Sequence, residues 1–209
     1  VIRALTVLVA LAALFVGVAG TYLVSETEQV IITQFGNPVG APVTAPGLHF
    51  KVPFIQKANY FEKRFLEWDG NPNQVPTKDK RFIWVDTFAR WRIVDPLLFF
   101  QRLRDERGAQ SRLDDILDGE TRNAVASYDL IEIVRSTNRD PADVPVESEE
   151  EQTILNQIAM GRERISREIL KRASARTADL GIELLDLRLK RINYVEEVQK
   201  DVFARMIAE

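Results

Sequence analysis

The residue types that carry out most enzymatic chemistry are scarce in this chain. It has 209 residues, no cysteine and a single histidine, His49. A nucleophilic serine or thiol needs a base held within hydrogen-bonding reach, and no serine lies close to His49 in sequence. Zinc sites need several histidine or cysteine ligands. We therefore predict no catalytic residue and interpret His49 as a polar residue of a strand or an interface.

Carboxylates are the remaining candidates for acid–base chemistry or metal binding. Asp114, Asp115 and Asp118 follow Arg112 in a predicted helix and are interpreted as a solvated face. A second acidic group, residues 147–151, lies in a polar loop. Neither group has the spacing of a calcium-binding loop, and no glycine-rich phosphate loop precedes a Lys-Ser/Thr pair. The sequence therefore predicts no metal site and no cofactor.

The overall charge argues against a nucleic-acid partner. The chain carries 28 basic and 31 acidic residues, a net charge of -3. Basic residues between positions 162 and 176 alternate with acidic ones, as on a solvated helix. Nucleic-acid binding needs an excess of positive charge on one surface, so this class of partner is not expected.

The N-terminal segment has the composition of a membrane anchor. Residues 4–24 contain no charged side chain, and a helix of that length spans roughly 30 Å, the thickness of the hydrocarbon core. Arg3 precedes this segment and Glu26 and Glu28 follow it, which orients the N-terminus to the cytoplasm. A cleaved signal peptide ending near Ala19 is the alternative. We expect residues 1–25 to form an uncleaved transmembrane helix.

The next part of the chain has the alternation of an antiparallel sheet. Strands are predicted at residues 28–35, 48–55, 60–68 and 82–93, with a turn at Gly36 to Pro38 and a polar loop at residues 71–77. The last of these strands has two clear faces, one of them formed by Ile83, Val85, Thr87, Ala89, Trp91 and Ile93. Residues 26–95 are therefore predicted to be a β-rich subdomain.

The second half changes to helical periodicity. Asp95 and Pro96 predict a helix start. Further helices are expected at residues 111–127, after Asp129, and at 153–180. A polar loop at 136–152 precedes the last of them. The longest has an apolar stripe at Ile154, Ile158, Ile165, Ile169, Ala173 and Leu180. A strand at 182–193 places Leu185, Leu187 and Leu189 on one face, and residues 195–209 begin a final helix. The fold class is α+β, with an α/β subdomain at 96–194.

Four sequence blocks together resemble a known family. In order they are EQVIITQFGNPV, PGLHFKVPFIQ, VDTFARWRIVDP and LGIELLDLRLKRINY. Over residues 28–209 the chain is similar to the SPFH (band 7, prohibitin-homology) superfamily, and Trp91, Arg92, Ile93 and Asp95 favour its HflC branch. The resemblance implies an SPFH domain after the anchor, and a C-terminal helix that leads into a coiled coil beyond Glu209. The chain starts at Val1 rather than Met and ends at Glu209 inside a predicted helix, so we expect it to be trimmed at both ends.

The resemblance also implies a function. Members of this branch are non-enzymatic scaffolds that alternate with an HflK-like subunit in a ring or cage on the periplasmic face of the bacterial inner membrane. That hetero-oligomer surrounds an FtsH-like membrane AAA+ protease and regulates its access to substrates. A stomatin- or prohibitin-like microdomain scaffold with other clients is the alternative. A membrane-anchored hydrolase, from another class, is disfavoured by the missing cysteine and the single histidine.

Two surfaces are candidates for these contacts. The first is expected to enter the outer leaflet of the bilayer beside the anchor, and it consists of Leu48, Phe50, Val52, Phe54 and Ile55. The alternative is that these side chains pack in the core of the β subdomain. The second is the lateral contact between subunits, expected where both signs of charge occur on one helix face, at Arg164, Arg167, Glu168 and Lys171, together with the helix that starts at Val195.

Overall fold

The computed structural model describes residues 2–136 and 158–194. The chain divides into two units, each built from separate stretches of sequence. The first unit comprises Val1–Leu66, Arg92–Ala109 and Ala178–Glu183, and the second comprises Glu67–Trp91, Gln110–Thr177 and Leu184–Glu209. The predicted subdomain boundaries at residues 25, 95 and 194 remain a prediction.

The apolar N-terminal segment of the first unit changes from helix to strand. Helix α1 spans Ile2–Gly20, and strand β1 spans Thr21–Val24. Strand β1 pairs antiparallel with β4, Gly47–Phe50. The expectation of one helix through Val24 is therefore wrong for its last four residues, because aromatic and β-branched residues fit a ladder when a partner strand supplies its hydrogen bonds.

One membrane-spanning helix was expected at this end of the chain. Within residues 2–136 and 158–194, no helix is both long enough and apolar enough to cross a membrane.

A second sheet of the first unit has the order β3-β2-β5. Strand β2 spans Glu28–Gln34, β3 spans Asn37–Pro38 and β5 spans Gln56–Glu62. The strand predicted at 48–55 is shorter, because Pro53 and the left-handed Phe54 (φ 67°) interrupt it. The strand predicted at 60–68 is in fact two strands, β5 and β6 (Leu66–Asp69).

The core of the first unit explains the pairing of these strands. The buried side chains Tyr22, Val24, Val30 and Ile32 form one cluster. Elsewhere Phe61 of β5 meets the edge of Phe99, with ring centroids 5.4 Å apart. Phe99 belongs to helix α2, Pro96–Leu103.

The predicted start of α2 is confirmed. The Asp95 carboxylate accepts hydrogen bonds from the amides of Leu97 and Leu98, both at 3.0 Å, and Pro96 occupies the first turn.

The second unit is built on a sheet with β8, Phe82–Ile93, at its centre. Strands β6 and β7 (Asn73–Pro76) flank β8, which also pairs with β9, Ile182–Tyr194. The predicted alternation of β8 is confirmed, since its inward residues from Ile83 to Ile93 are all buried. The loop predicted at 71–77 is wrong, because residues 73–76 form β7. Within this strand, Val75 pairs with Ile83 of β8.

Three helices complete the described part of the second unit. Helix α3 spans Glu106–Ser127, α4 spans Leu130–Val134 and α5 spans Arg162–Thr177, followed by a 3-10 turn at Ala178–Leu180. The predicted stripe is confirmed at Ile165, Ile169 and Ala173, which are fully buried. Residues 158–161 of the helix predicted at 153–180 are not helical, and α5 begins at Arg162, after the left-handed Gly161 (φ 74°). Residues 137–157 and the helix predicted from Val195 lie outside the described residues.

The face predicted for β9 is wrong at one position. Ile182 and Leu184 are buried, but so are Leu187 and Leu189, whereas Leu185 is 40% exposed. The period of two therefore shifts by one residue near Leu185, which is the signature of a β-bulge.

The ion pairs between the two strands agree with a bulge. Arg92 of β8 pairs with Glu183 and Arg90 pairs with Asp186. The two pairs are separated by three residues along β9, from Glu183 to Asp186, but by only two along β8, from Arg92 to Arg90. Strand β9 therefore contains one extra residue in this interval.

Candidate membrane-facing and subunit-contact surfaces

The β1–β4 ladder has one buried face and one apolar exposed face. Tyr22 and Val24 are buried, whereas Leu23 lies directly opposite Leu48 with both side chains more than 60% exposed. Phe50, on the same exposed face, is 74% exposed. Contiguous apolar surface of this kind marks a contact site for a partner or a membrane.

The turn after β4 extends this apolar surface. Val52, Phe54 and Ile55 are all exposed, and the turn is closed by a hydrogen bond from the Gln56 amide to the Val52 carbonyl (3.0 Å). The five residues predicted for the membrane are thus all exposed, and none packs in the core of the first unit. Together with Leu23, which the sequence analysis did not select, they form a surface that we term the apolar tip.

The apolar tip is connected to the end of α1. The Lys51 amide donates to the Gly20 carbonyl at 2.7 Å, and the rings of Phe15 and Phe54 stack with centroids 6.3 Å apart. Apolar side chains of α1 are also exposed, among them Val7, Leu8, Leu11, Leu14, Phe15 and Val18. One exposed apolar surface therefore runs from the helix to the turn.

A further exposed aromatic residue, Phe35, was missed by the sequence analysis. It is 84% exposed in the turn between β2 and β3. Phe35 and Phe54 both have positive φ, 50° and 67°. A left-handed backbone costs a residue with a Cβ about 1–2 kcal/mol. The signal in the sequence was a phenylalanine before Gly36, in a turn position where asparagine is usual.

His49 has a structural environment. Its Nε2 atom is hydrogen-bonded to the Ala45 carbonyl at 2.9 Å, and its ring lies 5.6 Å from the ring of Tyr22. These contacts fasten the turn before β4 to the β1–β4 ladder, as expected for a polar strand residue.

The acidic group on α3 is a solvated face as predicted at Asp114 and Asp115, which are exposed, whereas Asp118 is half-buried. Asp114 accepts a hydrogen bond from the indole N–H of Trp68 at 2.6 Å. Burial raises the pKa of Asp118, and the hydrogen bond between Asp118 and Asn73 opposes this rise only in part. Both groups therefore hold the helix on the sheet of the second unit. Within the residues described, no cluster of three acidic or histidine side chains could bind a metal ion.

The four predicted subunit-contact residues lie on α5 but differ in their surroundings. Glu168 accepts a hydrogen bond from the Tyr128 hydroxyl at 2.5 Å and pairs with Arg172. Arg164 donates to the Ala159 carbonyl at 3.0 Å. Arg167 and Lys171 are exposed. Exposed Arg167 and Lys171 are thus available to a partner, whereas the Glu168 carboxylate is already engaged.

A groove of about 330 Å³ in the second unit has α5 as one wall and β9 as the other. Its charged lining residues are Arg162, Glu163, Arg167, Asp186 and Arg188. Burial would raise the pKa of Asp186, but its hydrogen bonds with Arg188 and Arg90 lower it overall. The Asp186 charge is therefore balanced internally, which leaves a basic surface on the α5 side.

The turn that leads into α5 is held by a carboxylate from α4. Glu132 accepts hydrogen bonds from the amides of Ala159 (2.7 Å), Met160 (2.9 Å) and Gly161 (2.8 Å). Burial would raise its pKa, but these three amide hydrogen bonds outweigh burial and lower it. The carboxylate satisfies three amides of the turn before α5 and so fixes where that helix begins.

Glu132→Gln is expected to destabilise the protein by about 1–2 kcal/mol, because one amide oxygen cannot replace two carboxylate oxygens that accept three backbone amides. The pKa of Glu132 is lower in the folded protein than in the unfolded chain. The contribution of Glu132 to stability is therefore present above the unfolded pKa of about 4.3, and it is lost as the pH falls through the folded pKa. Urea unfolding at several pH values measures this. Glu163→Gln, on the exposed first turn of α5, is the matched control. Equal losses of stability in both variants would contradict this role of the Glu132 carboxylate.

Comparison with known proteins now defines the family. The family model described as SPFH domain / Band 7 family matches residues 22–209. The chain is 38% identical over 200 residues to Protein HflC of Treponema pallidum and 33% identical over 195 residues to Protein HflC of Borreliella burgdorferi, in both cases across 90% of this chain and 60% of the relative.

A third relative carries a name that states a role. The protein named Modulator of FtsH protease HflC of Escherichia coli K12 is 30% identical over 217 residues, which cover 90% of this chain and 63% of that protein. The chain thus spans about three fifths of the length of the curated relatives that it matches.

Proposed function

Because the chain belongs to the SPFH domain / Band 7 family, we propose that it is a non-enzymatic, HflC-like membrane scaffold subunit. It assembles with an HflK-like subunit into a ring or cage around an FtsH-like membrane AAA+ protease and regulates access of substrates to that protease. The observation that carries this proposal is the similarity over 90% of the chain to proteins named HflC, one of them named as a modulator of FtsH protease.

The membrane part of the proposal makes helix α1, Ile2–Gly20, the single anchor in the bacterial inner membrane, with the N-terminus cytoplasmic and the SPFH domain periplasmic. Support comes from the uncharged run at residues 4–24 and from the exposed apolar side chains of α1. The apolar tip, continuous with α1, enters the outer leaflet beside it. Lipid then covers side chains that water would otherwise surround.

The assembly part of the proposal places α5 at the contact between neighbouring subunits. A head-to-tail contact repeated around an axis closes a ring. Each contact can be weak, because a shared membrane plane raises the effective concentration of every subunit. Exposed cations on α5, Arg164, Arg167 and Lys171, support this position.

A native pull-down from bacterial membranes in mild detergent tests the function. A tagged full-length chain is expected to recover a second SPFH protein and an ATP-dependent membrane protease. A tagged, unrelated single-pass protein expressed at the same level is the control. Recovery of other clients without such a protease would support the stomatin- or prohibitin-like alternative and overturn the HflC-like assignment.

Topology has its own expected result. The chain has no cysteine, so the single variants Ser25→Cys and Ser136→Cys each place one thiol in an exposed position. In intact spheroplasts both are expected to react with a membrane-impermeant maleimide, because both follow the anchor. Labelling that occurs only after lysis would reverse the proposed orientation.

A further inference from the structure

The hairpin turn between β2 and β3 carries a phenylalanine where local chemistry disfavours one. Gln34 pairs with Asn37, so Phe35 and Gly36 form a two-residue turn in which both φ angles are positive, 50° and 84°. These are features of a type I′ turn, which favours Asn-Gly. An aromatic residue in this region of backbone space is strained, and the Phe35 ring is 84% exposed.

Phe54 repeats this combination in another turn. Its φ is 67° and its side chain is 81% exposed. Phe35 and Phe54 are the two most exposed large apolar side chains among the residues described. Asparagine or glycine would avoid both the strain and the exposed apolar surface at these two turns.

The strand register brings the two turns to the same end of one sheet. Gln34 is opposite Gln56 in the last pair of the β2–β5 ladder. Phe35 follows Gln34, and Phe54 lies two residues before Gln56. The opposite end of the same ladder is the Glu28–Glu62 pair, about 20 Å away at the usual rise per residue.

We propose that Phe35 is a second membrane-inserted residue, so that two turns, at Phe35 and Phe54, enter the acyl layer together. The inference rests on the proposed membrane contact of the apolar tip and extends it to another turn. A lipid occupant is favoured because the Phe54 ring stacks on Phe15 of α1, where other apolar side chains are exposed. Asn37, two residues after Phe35, and Lys57, opposite Thr33 in the β2–β5 ladder, are exposed and suit the headgroup layer.

The test uses single cysteines in the full-length, cysteine-free chain. Phe35→Cys, Phe54→Cys and Lys63→Cys are each labelled with the fluorophore NBD and reconstituted into phosphatidylcholine vesicles with spin-labelled acyl chains. Lys63 is the matched control, since it is exposed and follows the far end of the same ladder. NBD at positions 35 and 54 is expected to be quenched several-fold more than NBD at position 63.

The outcomes separate this inference from the proposed membrane contact. Quenching at position 54 with position 35 behaving like position 63 overturns the inference and leaves the apolar tip in the membrane. Weak quenching at both positions, with the chain still in the vesicle fraction, overturns the two together.

A second variant guards against a folding defect at position 35. Phe35→Asn suits the turn and is expected to keep or raise the thermal unfolding midpoint in detergent while it reduces the quenching of NBD at position 54. A lowered midpoint would mean that Phe35 supports the fold rather than the membrane contact.

Discussion

A chain in which Arg164 and Arg167 are both replaced by glutamate is expected to lose its large native complex while it stays folded and membrane-bound. An exposed ion pair contributes about 0.2–1 kcal/mol, and charge reversal adds repulsion of similar size. Each subunit contact is then weakened by about 1–3 kcal/mol, and 1.4 kcal/mol is a factor of ten in a binding constant. A ring multiplies that loss over all of its contacts.

The fold should tolerate this double reversal. Both side chains are exposed, and the hydrogen bond from Arg164 to the Ala159 carbonyl is the contact that is lost. Glutamate in the first turns of a helix also interacts favourably with its dipole. We expect the circular dichroism spectrum and the thermal unfolding midpoint to be nearly unchanged.

Native electrophoresis in mild detergent, together with recovery of the protease, gives the measurement. Arg112→Glu with Arg122→Glu makes the same change of charge at exposed positions of α3 and is the matched control. If the complex keeps its size and partners in the α5 variant, this helix face is a solvated surface and not a subunit contact. Equal loss in both variants would indicate a general effect of charge rather than a contact at α5.

Gly181→Ala is expected to cause a large loss of stability. Gly181 has φ 73°, and a Cβ atom there would lie 2.4 Å from the Asp95 carbonyl oxygen and 2.9 Å from the Phe99 nitrogen. The Gly181 carbonyl also accepts hydrogen bonds from the amides of Val94 and Asp95, at 3.0 and 3.2 Å. The methyl group would have to push the start of β9 away from the start of α2.

Left-handed strain and overpacking together give an expected loss of about 3 kcal/mol. Gly40→Ala is the matched control, because Gly40 has a similar φ of 79° but a methyl group there would meet no atom within 4 Å. Backbone strain alone then applies, and the expected loss of stability is about 1 kcal/mol. Urea unfolding followed by far-UV circular dichroism compares the two. Similar losses in both variants would show that the close approach to Asp95 has no energetic weight.

Elements defined by local chemistry were predictable from the sequence. The alternation along β8 set its buried face before any partner strand was known, and Asp95 with Pro96 marked the start of α2. The stripe at Ile165, Ile169 and Ala173 identified the buried side of α5. Each of these signals depends on residues that are neighbours along a single strand or helix.

Other features depend on partners that are distant in sequence. Residues 21–24 continue an apolar run, yet they form β1 because residues 47–50 pair with them. The exposed state of Leu185 follows from a bulge opposite Arg90 and Arg92, and a period of two along one strand cannot reveal an inserted residue. Asp114 is held by the indole of Trp68, which is 46 residues away.

The candidate surfaces divide in the same way. The amino-acid sequence by itself determined that the chain lacks the side chains of common active sites, carries the blocks of an SPFH protein and has an apolar segment before and after residue 50. Whether that segment is core or surface was decided only by the tertiary structure, because Tyr22 and Val24 fill the inner face of the β1–β4 ladder and leave Leu23, Leu48 and Phe50 outside. The left-handed backbone of Phe35 and Phe54 was also decided there, because it is imposed by the strand ends that each turn must join.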